Sequence, residues 1–383
     1  MEAVVCVGFL ITAVIQFIFW FGIAGRLTYF HPIRTTPRVA PGSTPFISVV
    51  ICARNELANL QRHLPLVLSQ SYPHFEVIVV NDHSTDGSAA YLRHLAKSQS
   101  RLRPISLDDP RVPFQGKKPA LTAGIHAARG ELVLLTDADC RPATPHWIQL
   151  MTASLSKTTD LVLGYSPYAA RPGLLNLFIR HEAMYTLIQY AGLALSGLPY
   201  MGVGRNLLYR KSVWQSVNGF SAHSHVTGGD DDLFVSAVAS PSRTALCLHP
   251  DSRVISEPEG TLRRYLIQKQ RHVSTSVHYP FKIKVALGLL AASHFFFYPL
   301  AAYLLSSPQT LPTHVLMLII AIRLTAVTIQ HRRLATLLAS PPHQWRTTPL
   351  FDLLLPAYFI LTLPGLLLSR RTHWSPRTPV GRL

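Results

Sequence analysis

Leu132-Val-Leu-Leu-Thr136-Asp137-Ala138-Asp139 is an apolar run that stops on two carboxylates one residue apart. A run of this kind suits a strand buried on both faces, as in the middle of a parallel sheet. Working outward, Phe46-Ile-Ser-Val-Val-Ile-Cys-Ala53 and Phe75-Glu-Val-Ile-Val-Val80 read as two further buried strands, the second ending at Asn81-Asp82. Residues 56–70, 88–98 and 117–128 carry helical periodicity, and Leu102–Leu107 reads as a short strand. Strands alternating with helices predict an α/β, Rossmann-like domain with a mostly parallel sheet and helices on both faces. Ligands of such sheets bind beyond the carboxyl ends of the strands, so polar residues just after a strand are site candidates.

The rest of the composition predicts a membrane setting. Of 383 residues, 48% are hydrophobic and only 14% are charged, against about 25% charged in a soluble domain. The missing charge is concentrated in residues 3–25 and 283–368. The expected division is therefore an N-terminal transmembrane anchor over residues 1–26 and a cytosolic globular domain over 43–282. C-terminal transmembrane or interfacial helices over 283–370 and a basic tail over 371–383 complete it. Val4–Ala24 is long enough to cross a hydrocarbon core of about 30 Å. It follows an acidic start without a clear cleavage motif and is expected to be retained. Ile283–Leu305 and Leu311–Ile329 read as two crossings. Leu350–Leu368 carries Asp352, Pro356 and Pro364, and reads either as a crossing or as a re-entrant or interfacial segment.

The net charge of +17 has two readings, nucleic acid or the positive-inside bias. The second accounts for Arg26, Arg34, Arg38, Lys282, Lys284, Arg332, Arg333, Arg370 and Arg371, which flank the apolar segments. No cationic block interleaved with aromatics is present, and no nucleic-acid partner is expected. This bias predicts a multi-pass protein of the cell (inner) membrane with its globular domain in the cytoplasm. Cys6, Cys52, Cys140 and Cys247 form no CxxC pair and suggest free thiols in a reducing compartment.

Four motifs carry chemistry. Asp137 and Asp139 follow a strand, where they either cap the next helix or hold Mg²⁺ or Mn²⁺, with the remaining coordination sites open to phosphate oxygens. In Asn81-Asp82-His83-Ser84-Thr85-Asp86-Gly87-Ser88, Asp82 is placed to accept from a ribose or base, and Asp86 suits a cap. Gly228-Gly229-Asp230-Asp231-Asp232-Leu233 sets three carboxylates side by side. That costs stability unless they are solvated, paired or used. They read either as a solvated helix start or as the source of a general base for an acceptor hydroxyl. Gln268, Arg271 and His272 fall within one helical turn and offer an amide, a guanidinium and an imidazole to a diphosphate or acceptor. Leu174–Leu198 reads either as a membrane-interface segment that admits a lipid-linked acceptor or as a core helix.

In this order and at these separations, the motifs resemble the family 2 glycosyltransferases of the membrane-bound branch, over about residues 45–275. The resemblance implies a GT-A fold, a divalent cation, a nucleotide-sugar donor and inverting transfer to a glycan or lipid-linked hydroxyl. It places Ala53, Arg54, Glu56 and Asp82 near the nucleoside, and Lys117 and Lys118 near the donor. Asp137 and Asp139 match the metal motif, and Arg205 and Asn206 the acceptor-side segment. Asp230 or, one residue later in register, Asp231 matches the catalytic base, with Gly229 where the first register expects a glutamate. Gln268, Arg271 and His272 match QxxRW with His in place of Trp, a departure from the motif associated with processive members that leaves processivity open. A metal-dependent nucleotidyltransferase would also use paired aspartates, and a membrane scaffold would need none of them.

Overall fold

The structure, a computed structural model, describes residues 2–31, 44–107, 116–226, 228–307, 311–341 and 343–367. Arg34, Arg38, Arg370, Arg371 and the basic tail fall outside the described residues. The chain forms two compact units.

One unit, residues 31–169 and 199–264, is built on sheets. Its strands are β1 (Ile47–Ala53), β2 (Phe75–Asp82), β3 (Leu102–Leu107), β4 (Leu132–Asp137), β5 (Cys140–Pro142), β6 (Leu161–Gly164), β7 (Leu207–Arg210), β8 (Thr244–Cys247) and β9 (Val254–Ser256). Seven of them form one sheet in the order β3-β2-β1-β4-β7-β6-β8. Its pairings are parallel except at β7, which runs antiparallel to β4 and β6. β1 and β2 are buried along their whole length, which explains why they read as unbroken apolar runs and not as an alternation. Helices Leu57–Leu68, Ser88–Ala96 and Lys117–Ala127 connect the parallel strands. The last of these lies close on the sheet: a Cβ on Gly124 would sit 2.6 Å from Val50 Cγ1 and 3.0 Å from Val80 Cγ2. β5 pairs antiparallel with β9 in a separate two-stranded sheet.

The other unit, residues 1–30, 170–198 and 265–369, is helical. Among the described residues, four of its helical stretches, Glu2–Tyr29, Phe281–Ser306, Thr313–Leu337 and Thr348–Leu366, are long and apolar enough to cross a membrane. Val4, Val7, Ile11, Val14, Ile18 and Phe21 are exposed at helical spacing along the first, while Phe9 and Ala13 pack inward on Phe297 and Ala301. Residues 170–198, expected within the globular stretch 43–282, pack in this helical unit. The reason lies in helix Leu174–Leu195, which is apolar around most of its circumference and needs cover on several sides. Two of its charged residues find partners within the same unit. Glu182 pairs with Lys269 at 2.5 Å and accepts from the Tyr265 hydroxyl at 3.2 Å. Arg180 donates to Gln344 at 2.9 Å.

Candidate functional site

Strand register brings the first two motifs level. Cys52 lies opposite Asp137, and Ala53 lies opposite Asn81. Asp82 and Asp137 therefore end the two strands on either side of β1, at one edge of the sheet. After Asp137 the chain makes a two-residue turn through Ala138 and Asp139 and enters β5 directly. The next helix begins only at Trp147. The two carboxylates thus do not cap a helix, which removes the alternative reading of this motif.

One ligand oxygen each from Asp137 and Asp139 and the Cys140 sulfur lie within 4.8 Å of one another. The Cys140 thiol donates to Asp139 Oδ1 at 3.3 Å. Burial, reinforced by the carboxylates of Asp139 and Asp137, pushes this thiol well above its ordinary pKa, so it is a neutral S–H. What remains for a cation is a pair of hard carboxylate oxygens. Such donors suit Mg²⁺ or Mn²⁺ and not a thiolate-seeking metal.

The triple aspartate divides its labour. Gly229 adopts φ +82°, and a Cβ there would lie 2.4 Å from Leu233, so glycine lets the chain turn into the motif. Asp231 accepts from its neighbour Asp232 N at 2.8 Å and from Gly204 N at 2.7 Å. It caps helix Asp232–Val238 and ties down the loop before β7. Burial and the adjacent Asp230 and Asp232 carboxylates raise its pKa from 3.8 to about 7. Asp232 is buried and accepts from Leu233 N. Asp230 faces elsewhere: its Oδ2 lies 3.4 Å from the Lys117 ammonium, which also donates to Asp137 Oδ1 at 2.5 Å. Burial alone would lower the pKa of Lys117, but Asp137 and Asp230 outweigh it and hold the group charged, well above its ordinary value. A single ammonium therefore joins the strand-end motif to the triple aspartate.

The remaining candidates are distributed as follows. Lys118 turns away from Lys117 and donates to the carbonyls of His223 and Val226, at 2.5 and 2.9 Å, bracing the loop before the triple aspartate. Ala53 ends β1. Arg54 follows it, and Glu56 accepts from Asn59 at 2.6 Å. Asp86 accepts from Ser88 N at 3.0 Å and from Leu57 N at 2.9 Å, the capping role expected of it. Arg205 stacks over the Tyr168 ring at 4.6 Å. Asn206, expected on the acceptor side, is fully buried. It donates to the carbonyls of Tyr165 and Ser252 and accepts from Trp147 Nε1, all at 2.9 Å. Its amide is thus committed to the packing between β6, β7 and β9. Gln268, Arg271 and His272 lie on helix Leu262–Thr275, which from Tyr265 onward belongs to the helical unit. That helix is anchored through Lys269 and Tyr265 to Glu182. Lys269 and Tyr265 are four residues apart and share one face, which leaves Arg271 turned to a different side. The roles of Lys118 and Asn206 as braces had no local signal, since both depend on residues far away in the chain.

Residues 48–215 match the model of the family described as Glycosyl transferase family 2. Among curated relatives, glycosyltransferase AglE of Haloferax volcanii is 30% identical over 191 residues, 49% of this chain and 59% of that protein. A beta-monoglucosyldiacylglycerol synthase of Nostoc sp. is 30% identical over 105 residues, 27% of this chain and 22% of that protein. The chain thus spans little more than half of the first relative and less of the second. Among solved structures, the mannosyltransferase PcManGT of Pyrobaculum calidifontis, in complex with GDP-Man and Mn²⁺, superposes with a TM-score of 0.63 at 19% identity. That superposition covers 97% of this chain and 100% of the other.

Proposed function

Residues 48–215 of this chain belong to the family 2 glycosyltransferases, on a GT-A-like fold, and from that premise we propose an inverting transfer of a sugar from a nucleotide-diphosphate donor to an acceptor hydroxyl. The observation that carries this reading is the Lys117 bridge. It brings Asp137, of the cation motif, and Asp230, of the triple aspartate, to one cationic centre at the edge of the sheet. A scaffold has no use for such convergence, and a nucleotidyltransferase gives no reason for Asp230.

In this reading Asp139, supported by Asp137, holds Mg²⁺ or Mn²⁺, which supplies charge neutralisation at the departing diphosphate. Asp82 accepts from the nucleoside, and Arg54 and Glu56 lie beside it. Asp230 takes the proton of the acceptor hydroxyl as its oxygen attacks the far face of the sugar. Asp231, with both oxygens accepting from backbone N–H groups, holds that loop in place. We infer a UDP-sugar as donor and a lipid-linked or glycan acceptor. A lipid acceptor accords with the four apolar helices. An inner-membrane location with the catalytic unit in the cytoplasm accords with the basic flanks.

The test is a screen of nucleotide sugars against purified full-length chain with Mn²⁺ or Mg²⁺, read by the nucleoside diphosphate released. The panel includes UDP-sugars and also GDP-mannose, since the Pyrobaculum mannosyltransferase holds GDP-Man with Mn²⁺. Release of a nucleoside diphosphate is expected. Release of pyrophosphate would point to nucleotidyl transfer, and release of neither would reject the reading.

A further inference from the structure

Four non-glycine residues among those described have positive φ, and two of them, Asn55 and His83, sit just past the ends of the adjacent strands β1 and β2. A side-chain-bearing residue in the left-handed region is strained, and such strain persists where the surroundings enforce it, often at ligand sites. Asn55 has a local account. Its Oδ1 accepts from Thr85 N at 2.7 Å and lashes the two strand-end loops together, and asparagine tolerates this conformation well.

His83, with φ of 55°, stands where glycine would be free of strain. What a glycine would lack is the imidazole. In an extended strand, Asp82 and its successor would point to opposite faces. The left-handed turn at 83 breaks that alternation and brings the ring beside the carboxylate. His83 Nδ1 lies 2.6 Å from Asp82 Oδ1. The Asp82 side chain is 5% exposed and that of His83 is 21% exposed, so the ring covers the carboxylate from the solvent side. In the tautomer that carries its proton on Nδ1, the ring donates to Oδ1 and fixes the rotation of the carboxyl group. The second oxygen is then held in one direction, as an acceptor for an N–H or O–H group of a nucleoside.

We propose that His83 is a positioning residue for the nucleoside of the donor: it fixes Asp82 in its accepting orientation at the expense of local backbone strain. This rests on the reading that Asp82 meets the nucleoside. Nucleoside recognition and diphosphate recognition are then separable, because the carboxylate that His83 orients is the one assigned to the nucleoside.

The experiment uses the full-length chain in detergent with Mn²⁺. Calorimetry measures the binding of UDP, of GDP and of inorganic pyrophosphate to wild type, His83→Gly and Asp82→Ala. For each nucleoside diphosphate that wild type binds, His83→Gly is expected to bind about tenfold more weakly. Pyrophosphate affinity should be unchanged, and the melting temperature unchanged or higher because strain is relieved. If His83→Gly fails to fold, His83→Asn, which adopts the same backbone conformation and lacks the ring, carries the same test. Unchanged nucleoside diphosphate affinity, or an equal loss for pyrophosphate, overturns the proposal. If Asp82→Ala selectively weakens the nucleoside diphosphates while His83→Gly does not, the role of Asp82 stands and that of His83 falls. If wild type binds neither UDP nor GDP, or Asp82→Ala leaves both unaffected, the underlying reading of Asp82 fails, and the proposal with it.

Discussion

At the scale of single residues, the chemistry turns on which carboxylate does what. Asp139 and Asp230 are the two whose removal is most telling. Asp139→Asn is expected to lose Mn²⁺ binding, seen by electron paramagnetic resonance, and transfer with it. Asp230→Asn should keep Mn²⁺ and donor binding but lose transfer by about 10²- to 10⁴-fold. Near-normal turnover in either variant rejects its assignment. Asp231 leaves a different trace. Its pKa is raised from 3.8 to about 7 by burial and by the Asp230 and Asp232 carboxylates. Between those values the folded chain keeps a proton that the unfolded chain has released. The contribution of this group to stability is thus present at the acid end and falls as pH rises through about 7. Thermal unfolding of metal-free protein from pH 4.5 to 8 should show that decline, and Asp231→Asn should flatten it.

At the scale of elements, the position of Lys117 is set by the packing of its helix. Gly124 lets helix Lys117–Ala127 lie directly on Val50 and Val80, and Gly116, with φ of 93°, turns the chain into the helix start. Gly124→Ala forces a Cβ to within 2.6 Å of Val50 Cγ1, a stiff branched side chain. The expected cost is about 1–3 kcal/mol, read by chemical denaturation, together with tighter Mn²⁺ binding, since lifting the Lys117 ammonium from Asp137 removes a competing positive charge. Val50→Ala in the same chain should reverse most of both. If it does not, close packing at Gly124 is not what places the lysine. The helix periodicity of this segment was legible in the sequence, and so was its approximate start at Lys117. Which of its two lysines faces the carboxylates was not, because adjacent positions on a helix differ by about 100° and the choice depends on the sheet beneath.

At the scale of the whole molecule, the helical unit contains a buried polar knot. Arg323 donates to Asp352 Oδ2 at 2.5 Å, to the Tyr298 hydroxyl at 2.8 Å and to Gln16 Oε1 at 2.9 and 3.0 Å. These residues come from all four of the helical stretches long enough to cross a membrane. In sequence, Asp352 interrupts an apolar run; in the structure it and Gln16 partner one arginine. Asp352→Leu strands a buried guanidinium and should cost about 3–5 kcal/mol, seen as a lowered midpoint of thermal aggregation in detergent. Arg323→Met with Asp352→Leu should recover much of that loss, since the pair is then replaced by apolar bulk. A double variant no more stable than the single would show that the knot contributes by geometry and not by charge pairing.

By itself the sequence determined the first four strands, the helices that follow three of them, the apolar helical stretches and the placement of Asp82 and Asp137 at strand ends. These features follow from periodicity and burial along a few consecutive residues, which neighbours in the chain impose. Only the tertiary structure decided that Asp137-Ala-Asp139 runs into a strand and caps no helix. The same is true of the split among Asp230, Asp231 and Asp232, the commitment of Asn206 and Lys118 to bracing, and the packing of residues 170–198 with the helices. Each of these depends on a partner far along the chain, such as Gly204 for Asp231 or Lys269 for Glu182. A hydrogen bond or ion pair between distant residues exists only once the chain has closed on itself, so no local pattern could announce it.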